Sequence, residues 1–160
     1  MTTTLFSRII RAWLILACLL FSLNLMAQAA PPSTSCSNAT LNGTYPFLDQ
    51  GNFVGARGAL TPVQFTGFEV FDGNGNAHGF YTEVTVVNGQ TAVSSDISFT
   101  ATYTVNANCT VKEVARDANN NVFHFDEFIG PDGNHMTVCV TDPGTVVCGA
   151  KNRDSGQPQL

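Results

Sequence analysis

Ile97-Ser-Phe-Thr-Ala-Thr-Tyr-Thr-Val105 holds apolar residues at its odd positions and Ser or Thr at its even ones, without a slip. Successive side chains of a strand point to opposite faces, so such a segment buries one face and wets the other. Comparable runs, rich in Val, Phe, Thr and Tyr, fill most of the chain after residue 30, and none carries a convincing 3.6-residue apolar period. Turn signals separate them: Asp72-Gly-Asn-Gly-Asn76, Asn88-Gly89, Asn106-Ala-Asn108, Asp117-Ala-Asn-Asn-Asn121, Pro131-Asp-Gly133 and Pro143-Gly144. Each supplies residues that tolerate positive φ or pre-set a turn. The pattern predicts an all-β domain of about seven or eight antiparallel strands. Because nearly every connection is short, an up-and-down barrel is favoured over a sandwich, and closure removes the exposed strand edges.

The first thirty residues read as an address. Arg8 and Arg11 precede an apolar run from Ala12 to Met26, and Ala27-Gln28-Ala29 forms an A-x-A cleavage site. That run of about fifteen residues is short of the ~20 needed to span a bilayer. Residues 1–29 are therefore expected to be a removed signal peptide, 30–37 a flexible leader, 38–150 one β-barrel domain and 151–160 a disordered polar tail. The expected destination is secretion, to the periplasm or beyond, with no membrane insertion after cleavage. The mature chain would carry five basic and twelve acidic residues, a net charge of −7. An acidic surface without a Lys/Arg cluster argues against nucleic acid as a partner.

Four cysteines survive processing, and an even count in an exported domain reads as two disulfides. A two-residue Pro143-Gly144 loop sets Cys139 opposite Cys148, which leaves Cys36 to pair with Cys109. Pro-Gly suits a type II turn, which fits tight hairpins badly, and a three-residue loop would slip this pairing by one. On the chain-entropy model the short and long bridges contribute roughly 3 and 4 kcal/mol. No CxxC or HxxxH accompanies the cysteines, so no metal site is expected.

The C-terminal hairpins can be registered residue by residue. A loop from Asp117 to Asn121 pairs Arg116 with Val122, Val114 with His124 and Lys112 with Asp126. A Pro131-Asp-Gly133 loop places Ile129 opposite His135, Glu127 opposite Thr137 and Phe125 opposite Cys139. The even face then carries Arg116, Lys112, His124 and Asp126, so turning the odd face inward avoids burying charge. Ile97, Phe99, Ala101, Tyr103, Val111, Ala115, Phe123, Phe125 and Ile129 face in, and so do Glu113 and Glu127. Glu69 joins them if the odd face of its strand also points inward. A carboxyl in an apolar pocket has a raised pKa and can serve as a general acid or base near neutrality. The alternative is a hydrated or salt-bridged group. His124, Asp126 and His135 do not form a metal triad in this register, because His135 falls on the opposite face.

No G-x-S-x-G elbow, P-loop or dinucleotide fingerprint is present, and no cofactor is expected. The aromatic residues carry more information. Phe65, Phe71, Phe99, Tyr103, Phe123 and Phe125 are the candidates to line a barrel interior and hold an apolar guest. A fully packed core is the competing arrangement.

Cys36-Ser-Asn-Ala-Thr-Leu-Asn-Gly-Thr-Tyr45, Phe71-Asp-Gly-Asn-Gly-Asn76 and Ala101-Thr-Tyr-Thr-Val-Asn-Ala-Asn-Cys-Thr110 together resemble a family of small secreted bacterial β-proteins, similar to calycin (lipocalin-like) or allene-oxide-cyclase-type barrels. The resemblance implies a barrel, the Cys36–Cys109 bridge and a cavity that binds an apolar molecule. More remotely it implies a cyclase or isomerase, although that catalytic pattern does not transfer to residues here. The Cys139/Cys148 pair is an addition to the family pattern. The leading expectation is a secreted barrel that binds a small apolar ligand without catalysis. The alternatives are an isomerase or cyclase using Glu127 or Glu113, and an extracellular structural or adhesive module.

Overall fold

Eight antiparallel strands follow one another around a closed barrel in the computed structural model, which describes residues 35–155. They are β1 (Asn42–Val54), β2 (Leu60–Asp72), β3 (Asn76–Val87), β4 (Gln90–Val105), β5 (Thr110–Asp117), β6 (Val122–Ile129), β7 (His135–Val140) and β8 (Thr145–Asn152). The expected signal peptide, the first leader residues 30–34 and tail residues 156–160 lie outside the described residues. β1 meets β8 to complete the ring, from Phe47 opposite Lys151 to Phe53 opposite Thr145. Among the described residues no helix is long and apolar enough to cross a membrane.

The turns form where small polar residues allow it. Asn88 (φ 51°) and Gly89 (φ 75°) make a two-residue loop with both φ positive, the backbone that matches strand twist. Asp72 Oδ1 accepts from the backbone N–H groups of Asn74 at 2.7 Å and Asn76 at 3.0 Å, which makes the Asp-Gly-Asn-Gly-Asn run a hairpin turn. Cys139 and Cys148 are cross-strand partners joined by a disulfide, and a second disulfide joins Cys36 to Cys109. Gly144 takes φ 80° and Thr145 N donates to Asp142 O, so the Pro-Gly turn forms without shifting the pairing. Two disulfides in one small domain point to a non-cytoplasmic location.

The β5–β6 register is the expected one, whereas β6–β7 differs by one residue. Ile129 lies opposite Met136, Glu127 opposite Val138 and Phe125 opposite Val140. The cause is Asn134, whose N–H donates to Asp132 Oδ1 and is thereby drawn into the turn. The hairpin closes where Gly130 N donates to His135 O, after a four-residue loop. Met136 and Val138 consequently face the core, and His135 is exposed instead of inward. The expected boundary at residue 150 also moves. Lys151 and Asn152 belong to β8, and Lys151 is buried in the barrel.

The two ends of the barrel are built differently. At one end Leu41, Tyr45, Phe71, Tyr103, Val111, Ile129 and Met136 form a packed apolar cluster. The Phe71 ring meets Tyr45 and Tyr103 edge-on at 5.2 and 5.1 Å between centroids, a geometry aromatic quadrupoles prefer. A 3₁₀ turn, Asn38–Thr40, lies across this end. Tyr103 Oη donates to Leu41 O, Arg153 donates to Thr40 O, and the Cys36–Cys109 bridge ties the preceding segment to the β4–β5 turn. Toward the other end the interior is not filled.

Candidate functional site

Inward positions of five strands, β1 to β4 and β6, bring Phe47, Phe65, Tyr81, Phe99, Phe123 and Phe125 around a cavity of about 60 Å³. The rings touch in a continuous chain. Phe47 meets Phe99 at 6.5 Å, Phe99 meets Tyr81 at 6.2 Å, Tyr81 meets Phe65 at 5.7 Å, and Phe65 meets Phe123 at 6.4 Å. Phe123 then contacts Phe125 at 6.3 Å. Gly79 is part of this arrangement, because a Cβ there would lie 2.8 Å from the Phe99 ring. Of the six aromatics expected to line an interior, Phe65, Phe99, Phe123 and Phe125 border the cavity. Phe71 and Tyr103 do not, because they are consumed in the packed end, where Tyr103 is fixed by its bond to Leu41.

The boundary between the packed end and the cavity is polar. Lys151 Nζ lies 2.5 Å from Glu69 Oε2, 3.2 Å from Glu113 Oε2 and 2.6 Å from Glu127 Oε1. The Lys151 ammonium also stands 5.2 Å from the Phe71 ring centroid and 5.7 Å from that of Phe125. All four charged side chains are buried, and Lys151 is the one buried cation among the described residues. Three carboxylates against one ammonium leave two negative charges over in a site without water's dielectric, and such a site retains protons. Burial pushes the Glu127 carboxyl up to about 8, and the nearby Glu113 adds to the rise. Burial and then the Glu69 charge lift Glu113 to about 7. Burial raises Glu69 too, against the pull of Lys151.

The hydrogen bonding agrees with a retained proton. Glu127 Oε1 lies 2.6 Å from Lys151 Nζ, whereas the buried Oε2 has no hydrogen-bond partner among the described residues. Lys151 itself is held protonated by its three carboxylates, against the cost of burial. It is therefore an electrostatic anchor and not an amine nucleophile, which would need the neutral form.

Asp49 and Asp117 complete the polar lining. Asp117 accepts from Tyr81 Oη, from the N–H groups of Asn119 and Asn121, and from Asn121 Nδ2, each at 2.8 Å. It fixes the β5–β6 turn and orients Tyr81. Asp49 is different: its Oδ1 is buried and has no hydrogen-bond partner among the described residues. Burial raises its pKa to about 6, although Lys151 opposes the shift. Its place is made by Gly149, where a Cβ would lie 2.1 Å from Asp49 Oδ1.

Glu113, Glu69 and Lys151 border the cavity, while Glu127 sits behind them. His124 pairs with Asp142 at 2.7 Å and His135 with Asp132 at 3.0 Å, so the two histidines serve separate turns. Asp126 faces Lys112 at 2.5 Å on the outer surface. Among the described residues no group of three or more His, Cys, Asp or Glu is arranged to hold a metal ion.

Sequence reasoning overlooked Lys151, Asp49, Phe47 and Tyr81. The signal for Lys151 lay in a shortage of cations. Inward-facing glutamates need a counter-charge, and beyond residue 30 the basic residues are Arg57, Lys112, Arg116, Lys151 and Arg153. Parity sends Lys112 and Arg116 outward, which narrows the choice sharply.

Fold and site together define a class: a closed eight-stranded barrel with an aromatic chamber over a buried lysine–glutamate cluster. No protein-family model matches the chain, and no curated protein or solved structure matches it.

Proposed function

We propose that the protein is an exported barrel that holds a small, mainly apolar molecule in its aromatic chamber without transforming it. The observation carrying this reading is the unbroken chain of six aromatic rings around an unfilled space. Cores normally pack to crystal-like density, so an apolar void lined by this many rings is a place for a guest. The chamber's ~60 Å³ is less than half of the roughly 150 Å³ that accommodates benzene in an engineered cavity. The guest, or the part of it that enters, is accordingly small. Export rests on the signal-like first 29 residues and agrees with the two disulfides. The likeness to calycin and cyclase-type barrels supports the same reading.

Native mass spectrometry of protein purified without detergent, followed by xenon titration, tests it. A retained guest, or saturable xenon uptake, is the expected result. A bare monomer that takes up no xenon would overturn the proposal.

A second reading is favoured by Glu113 alone. It borders the chamber with a pKa near 7, the value suited to passing a proton to and from a substrate. In an isomerase or cyclase, Glu113 would touch the substrate and Glu127 would hold the reserve proton behind it. Turnover abolished by Glu113→Gln with retained guest affinity is the result that would select this reading.

A further inference from the structure

We propose that the chamber selects guests with a cationic end, an organic ammonium that docks on Asp49 with its carbon atoms against the aromatic wall. This rests on the chamber being a binding site and names the chemistry of what enters it.

The polar groups that line the chamber are not equally available. Glu69 and Glu113 are each paired with Lys151 through Oε2, although Glu69 Oε1 is itself unpartnered among the described residues, and Asp117 is saturated by Tyr81 and its own turn. Asp49 is left over: 6 % exposed, on the chamber wall, with Oδ1 unpartnered among the described residues. A buried carboxylate oxygen without a donor costs stability, so a fold that keeps one there leaves room for a ligand's donor. An ammonium supplies both the donor and the opposite charge.

Charge decides between ligand classes. The wall presents Asp49, Glu69, Asp117 and a partly protonated Glu113 against Lys151, while Glu127 behind them keeps its proton and adds no charge. Glu83, partly buried on β3 opposite Phe65, adds to the same sign. A carboxylate or phosphate guest would enter a field of its own sign, whereas a cation is drawn in. The rings favour a cation as well, because aromatic faces attract ammonium groups. The protein already uses them in this way, holding the Lys151 ammonium over Phe71 and Phe125.

Three probes of nearly equal size separate the possibilities: n-propylammonium, 1-propanol and propionate, titrated against the folded, disulfide-bonded protein and followed by NMR shifts of the Phe99 and Phe123 rings. The expected order is n-propylammonium about tenfold tighter than 1-propanol, with propionate not bound. Asp49→Asn is expected to erase the preference for ammonium and leave 1-propanol binding within about twofold. Equal binding of 1-propanol and n-propylammonium to the unaltered protein would overturn the proposal, whether or not the variant folds, and would leave the chamber itself in place. An ammonium preference that persists in folded Asp49→Asn would overturn the role of Asp49. Failure of all three probes overturns the ammonium proposal, and xenon uptake then decides whether the binding chamber falls with it.

Discussion

Lys151 Nζ on the last strand lies 2.5 Å from Glu69 on the second, spanning 82 residues of sequence inside the barrel. A buried ammonium shared by three carboxylates cannot be removed without leaving uncompensated charge. Lys151→Met is expected to cost about 3–5 kcal/mol at pH 8 and clearly less at pH 5, where the glutamates neutralise by protonation. Denaturant titrations at the two pH values check this. An equal loss at both would show that the lysine contributes packing alone.

The same cluster sets an unusual pH dependence. Glu113 and Glu127 titrate near 4.5 in the unfolded chain but at about 7 and about 8 in the folded protein. Between those limits the native state binds more protons than the unfolded one, so stability falls as pH rises. Asp72 acts in the opposite direction. Its hydrogen bonds to Asn76 and Asn74 hold it at about 2, and its contribution is lost as pH drops from 3.8 toward that value. A stability maximum near about pH 4–5 is expected, with a steady decline to pH 8. Thermal unfolding across this range is the measurement, and a plateau from pH 5 to 8 would contradict it.

The two disulfides should differ in weight. Cys36 and Cys109 are 73 residues apart and Cys139 and Cys148 are nine apart. Replacing the first pair by serine is expected to cost about 4 kcal/mol and the second about 3, by loop-closure entropy. The first pair also releases the segment across the packed end, so protease sensitivity should rise around Asn38–Thr40 in that variant only.

Filling the chamber should separate binding from folding. Ala115 is buried and borders the cavity. Ala115→Leu places three further carbon atoms in that space, and is expected to abolish xenon uptake while costing no more than about 3 kcal/mol of stability. Undiminished xenon uptake would locate the binding elsewhere.

Much of this architecture is written in the parity of the strands. The unbroken alternation of Ile97 to Val105 and the five-residue Asp117–Asn121 turn give three strands, β4 to β6, their inward face, and Glu113 and Glu127 with it. Where the reading went astray, one side chain decided the matter. Asn134 joined the turn through Asp132 and moved β7 by a residue, because a one-residue slip exchanges the faces of a strand. Lys151 was hidden for another reason. The inward side of β8 reads Thr145, Val147, Gly149, Lys151, which lacks an apolar rhythm to mark it as strand. Its burial comes from carboxylates on β2, β5 and β6, a tertiary cause that no local pattern carries. Phe71 and Tyr103 show the same limit in reverse. Parity places both inside, but which end of the barrel is solid depends on the 3₁₀ turn that covers it.

Ring closure and the cluster's one cation both arrive with β8. Seven strands without it form a sheet with two open edges and three acids turned toward one another, and neither fault can be mended by the residues already present. The last strand is thus a latch: an otherwise complete chain ending at Val140 is expected to remain unfolded, sensitive to protease, until residues 141–155 are supplied. The wall is completed at the carboxyl end, where the strand that closes the ring also carries the one ammonium that offsets the acids within it.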